Sequence, residues 1–72
     1  MKPKPSRPRE VEKLALSLGF VFDRSKGSHR IYRHPDGRTT VIPFYAGDIA
    51  TGTLRSIIDN LGITIQEFNA RV

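Results

Sequence analysis

The side chains able to do chemistry in this 72-residue chain are few: two histidines, two tyrosines and a cluster of basic residues. His29 follows Gly27-Ser28 and is flanked by Lys26, Arg30 and Arg33, the cation types that hold a phosphodiester. Imidazole exchanges protons near neutral pH, and RNA cleavage requires that exchange at the 2′-hydroxyl or at the leaving 5′-oxygen. This combination suits metal-independent RNA cleavage. Spacing alone leaves open whether His29 moves a proton or only contacts phosphate. His34 precedes Pro35 and fits a role in turn hydrogen bonding better than one in proton transfer. Tyr32, Phe44 and Tyr45 are of the type that stacks on bases, although one aromatic per strand serves core or rim packing equally well.

Other chemistries lack their residues. The seven acids are scattered, the two histidines stand five apart and there is no cysteine, so no metal-ligand set, thiolate site or disulfide framework is expected. No paired carboxylates suit glycoside hydrolysis. The six glycines stand singly rather than in a phosphate-cradling loop. No cofactor is expected.

Twelve Lys and Arg against seven Asp and Glu give a formal net charge of +5, which attracts polyanions. Arg24, Lys26, Arg30, Arg33 and Arg38 share residues 24–38 with a single acid, Asp36. The field is therefore focused in mid-chain, as either a nucleic-acid surface or a solvated basic face. The basic start lacks an apolar run behind it, so neither signal peptide nor membrane span is read, and a cytoplasmic location is expected.

The elements that must position these residues follow from periodicity. Pro3, Pro5 and Pro8 lie among basic residues, and residues 1–6 read as a flexible basic tail preceding a single domain over residues 7–72. Val11, Leu14, Ala15 and Leu18 form one helical stripe between Pro8 and Gly19. Phe20 to Phe22, followed by Asp23-Arg24, then reads as a short strand ending in a polar turn, Ser25-Lys26-Gly27 as that turn, Ser28 to His34 as a second strand, and His34-Pro35-Asp36-Gly37 as a second turn. The β-branched run Thr39 to Ile42 predicts the third strand, ending at Pro43. After a loop, Thr51 or Thr53 is expected to cap a helix through Leu54, Ile57, Ile58 and Leu61, ended by Gly62. Thr64 and Glu67 fit a capping box for a last short helix that turns Phe68 to the core. The fold class is α+β: a three-stranded antiparallel sheet with helices on one face and the other face open.

Several short motifs in this order resemble the HicA toxin family, small RNA-cleaving partners of HicB antitoxins. They are Gly19-Phe20, Lys26-Gly27-Ser28-His29, His34-Pro35-Asp36-Gly37, Val41-Ile42-Pro43, Gly52-Thr53-Leu54-Arg55-Ser56-Ile57, and Gly62-Ile63 followed by Glu67-Phe68. The resemblance implies the α-β-β-β-α arrangement of double-stranded RNA-binding domains, which agrees with the order read from periodicity. It also implies an endoribonuclease (mRNA interferase) toxin, with mRNA as substrate, a HicB-type antitoxin as protein partner and His29 as the catalytic residue. On that reading Arg24, Lys26, Ser28, Arg30 and Arg33 bind RNA. The family often carries a histidine about where Tyr45 stands, and Tyr45 is read as a phosphate or partner contact. A non-catalytic RNA-binding module of the same fold, or an inactive homologue that only binds an antitoxin, would draw on the same residues.

Overall fold

The computed structural model describes residues 1–72. Its element order is α1 (Pro8–Ser17), β1 (Val21–Lys26), β2 (His29–Arg33), β3 (Thr39–Pro43), α2 (Thr51–Leu61) and α3 (Ile65–Arg71). The strands form one antiparallel sheet in the order β1-β2-β3. This is the α-β-β-β-α layout that the sequence implies.

Strand alternation divides the sheet into two faces. Tyr32 pairs with Thr40 and Arg30 with Ile42, and Tyr32, Thr40 and Ile42 are buried, so this face meets the helices. The partners His29↔Pro43, Ile31↔Val41 and Arg33↔Thr39 lie on the other face, joined by Lys26↔His29, Arg24↔Ile31 and Val21↔Arg33. A bulge between Phe22 and Arg24 places Asp23 as the extra residue of β1. Every residue of β1 is exposed, which makes it an edge lying beyond the shelter of the helices.

The core joins Val11, Leu14 and Ala15 of α1 with Phe20, Tyr32, Ile42 and Ile49, the α2 stripe Leu54, Ile57, Ile58 and Leu61, and Phe68. Those are the helical stripes that the sequence predicts. Phe68 is fully buried, which contributes about 1.5–3 kcal/mol relative to leaving it in water. Thr64 accepts from the Glu67 N–H at 3.0 Å and Glu67 accepts from the Thr64 N–H at 2.9 Å, completing the expected capping box. The Thr64 backbone N–H, and after it the Thr64 side chain, hold the Glu67 carboxyl below the usual range.

Two local expectations change. The β1–β2 turn is Gly27-Ser28 rather than Ser25-Lys26-Gly27, because Lys26 and His29 already pair across the ladder. Gly27 has φ +61° while Ser28 does not enter positive φ, the signature of a II′ hairpin with glycine first. Ser28 is therefore a turn residue, and β1 runs on through Arg24, Ser25 and Lys26. At α2 the N-cap is Ala50, with no side-chain cap, rather than Thr51 or Thr53. Residues 1–6, the segment read as a flexible basic tail, lie along α3 and the loop before α2. Lys4 N–H donates to Asn69 Oδ1 at 2.8 Å, Asn69 Nδ2 donates to the Lys2 carbonyl at 3.1 Å, and Ile49 N–H donates to the Ser6 carbonyl at 2.9 Å. Pro3 and Ser6 are buried. The prolines that preclude a helix here suit an extended strap, whose backbone finds its partners in other elements.

Candidate active site

His29 opens β2 on the exposed sheet face, immediately after the Gly27-Ser28 turn. No atom lies within 4 Å of where a Cβ on Gly27 would stand, so its positive φ, not crowding, calls for glycine. The Phe44 N–H donates to the Ser28 carbonyl at 2.7 Å, tying the loop after β3 to this turn. That bond delivers the next residue to the histidine. Tyr45 Oη lies 3.3 Å from His29 Nε2, with the rings edge-on at 6.0 Å between centroids. Either group is able to donate in this contact. Lys26, the cross-strand neighbour of His29, has no carboxylate within ion-pair distance. An imidazole, a phenol and an unpaired ammonium thus share one exposed corner of the sheet.

The remaining predicted residues divide between the faces. Arg24 and Arg33 lie on the open face with His29, but both point to one carboxylate: Asp23 accepts from Arg24 at 2.6 Å and from Arg33 at 3.3 Å. The bulge is what sets Asp23 between them. Such exposed pairs are worth about 0–1 kcal/mol, so little free energy holds them together, yet Asp23 reduces the local positive field. Ser28 is half-buried in the turn, and its carbonyl is the group engaged.

Arg30 stands apart from this set, since adjacent residues of a strand point to opposite faces. Its guanidinium donates to Glu12 of α1 at 3.2 Å and lies 4.1 Å from the Phe44 ring centroid. Glu12 also accepts from the Tyr32 hydroxyl. Burial, and then this hydrogen bond, push the Tyr32 hydroxyl up to about 12. Sequence reasoning missed Glu12, whose only signal is its place one residue from the apolar stripe of α1.

His34 takes the turn role. Its Nδ1 accepts from the Asp36 N–H at 3.1 Å, which leaves Nε2 protonated in the neutral ring and able to donate to the Leu18 carbonyl at 3.2 Å. It sits edge-on to Phe20 with centroids 5.1 Å apart. Arg38 leaves the basic cluster too: its Nη1 donates to the Leu61 carbonyl at 2.6 Å and its Nε to Asp36 at 2.8 Å. The Arg38 N–H, first among the causes, holds the Asp36 carboxyl below its usual value. No three His, Asp or Glu side chains come together in a metal-ligating group. No helix is long and apolar enough to cross a membrane.

Residues 8–63 match the model of a family described as HicA toxin of bacterial toxin-antitoxin. The matched span runs from the start of α1 to just past α2, and so contains the whole sheet, His29 and Tyr45. No curated protein matches the chain.

Proposed function

The chain belongs to the HicA toxin family, and from that membership we propose that it is a metal-independent endoribonuclease that cleaves mRNA with His29 as general acid or base. The observation that carries this reading is the placement of His29: exposed on the open sheet face, in contact with Tyr45 and beside the unpaired ammonium of Lys26. In the reaction the 2′-oxygen attacks phosphorus as the P–O5′ bond breaks. His29 either takes the 2′ proton or supplies the 5′ proton, and water exchanges the other. Lys26, with Arg24 and Arg33 released from Asp23, binds the backbone and stabilises the charge developing on the phosphoryl oxygens. Tyr45 orients the imidazole or donates to a phosphoryl oxygen. Arg30 supports the site from the other face by stacking on Phe44.

The protein partner is a HicB-type antitoxin that offers carboxylates to the basic face and covers His29, which blocks both substrate approach and proton transfer. The test is incubation of RNA with the native protein and with His29→Ala, both in EDTA. Native protein is expected to cleave and the variant to bind without cleaving. Cleavage by His29→Ala at the native rate would refute the assignment. RNA that is retarded on a gel but stays intact with the native protein would make the chain a binding module instead.

A further inference from the structure

The reading of His29 leaves Arg7 and Arg9 without a task. They flank Pro8 at the start of α1 and, with Phe44, Tyr45, Ala46 and Gly47, line an open cleft of about 270 Å³. Neither guanidinium has a carboxylate within ion-pair distance, whereas Arg24, Arg30, Arg33 and Arg38 each have one. The uncompensated arginines nearest the site are therefore not in the mid-chain cluster that dominates the sequence. Tyr45 belongs to both places. Its hydroxyl meets His29, and the residue, 60% exposed, also lines the cleft. Phe44 supplies further aromatic surface, held in place by the Arg30 guanidinium.

The geometry points to this cleft as a nucleotide subsite for single-stranded RNA, next to the phosphodiester at which His29 moves a proton. A base lies against the Tyr45 ring, and Arg7 and Arg9 take the adjoining phosphate. An aromatic face beside uncompensated cations is the recurring chemistry of single-strand binding, and it tolerates any base because each has a π-face. The assignment rests on the ribonuclease reading for its position beside a scissile bond, but as a binding site it is measured separately. Replacing the arginines leaves the helix start intact, because the backbone N–H of Arg7, not its side chain, donates to Glu10 at 2.9 Å.

The experiment measures binding of a fluorescent single-stranded RNA by anisotropy, across a salt titration, in the non-cleaving His29→Ala protein with and without Arg7→Gln and Arg9→Gln. Loss of two phosphate contacts is expected to weaken binding about tenfold near 0.15 M salt and to flatten the log–log salt slope by roughly 1.4. Arg9→Gln alone gives about half that slope change and serves if the pair fails to fold by circular dichroism. Tyr45→Ala is expected to weaken binding more than Tyr45→Phe, which keeps the ring and loses only the hydroxyl. Unchanged affinity and slope in the arginine variants would overturn the subsite whatever His29 does. Unchanged RNA affinity with weakened antitoxin binding would overturn it as well and assign the cleft to the protein partner. If the arginine variants bind weakly but native protein never cuts RNA, the subsite stands and the ribonuclease reading falls.

Discussion

Tyr32 closes the core where β2 meets α1, with its hydroxyl on Glu12 and no part of the residue exposed. Deprotonation there would place a phenolate beside a carboxylate in a poorly solvated spot, so burial first and Glu12 second raise its pKa to about 12. In the unfolded chain a tyrosine ionises near about 10. The folded state thus holds its proton more tightly: the stabilisation is fully present below pH ~10 and is lost as pH rises from there through the folded value. In a Tyr45→Phe background, absorbance at 295 nm should titrate with a midpoint near 12, and Glu12→Gln should lower it; a Glu12→Gln midpoint that does not move would mean burial alone sets it. His29 was legible from type and neighbours. Period-two alternation was also enough to separate it from Arg30, once Tyr32 is taken as core. The contact with Tyr45 was not legible, because it depends on a bond between a turn and a loop sixteen residues apart in sequence.

The turn between β2 and β3 does more than reverse the chain. His34 donates to the Leu18 carbonyl at the end of α1, and Arg38 to the Leu61 carbonyl at the end of α2. One hairpin thereby satisfies orphan carbonyls of two helices and fixes them against the sheet. The helix ends themselves were readable: Gly19 and Gly62 stand where left-handed caps are needed, with φ +96° and +77°. What closes on them was not, since nothing local in His-Pro-Asp-Gly-Arg names a distant carbonyl. A Cβ on Gly62 would sit 2.6 Å from Arg38 Nη1. Gly62→Ala should therefore cost the left-handed strain of about 1–2 kcal/mol and disturb the Arg38 bond as well. In an Arg38→Ala background only the strain should remain, so urea unfolding of the two single variants and the double variant should show a smaller Gly62→Ala loss in that background. Equal losses in both backgrounds would mean that Arg38 moves aside at no cost.

Across the whole molecule the net charge of +5 is arranged differently from its arrangement in the chain. Much of the mid-chain cluster meets Asp23, Glu12 or Asp36, and two guanidiniums left without carboxylates lie beside the Tyr45 loop. The class and order of elements were legible because apolar stripes and turn residues are local signals. Neither the pairing of charges nor the seat of residues 1–6 is local, and both had to come from the fold. The outer edge of β1, with Val21 and Phe22 exposed, is guarded against strand addition by the Asp23 bulge and by the charges of Arg24 and Lys26. The strap carries a different consequence. Asn69 holds the backbone on both sides of Pro3, and Ser6 holds Ile49, so the strap, α3 and the loop before α2 are bonded into one seam. A seam of this kind opens as a unit. The amides of Lys4 and Ile49 should then exchange with solvent deuterium at similar, slowed rates, and Asn69→Ala should accelerate both. If Lys4 exchanges as fast as an unfolded peptide while Ile49 stays protected, the seam divides, and the first residues breathe independently of the domain they cover.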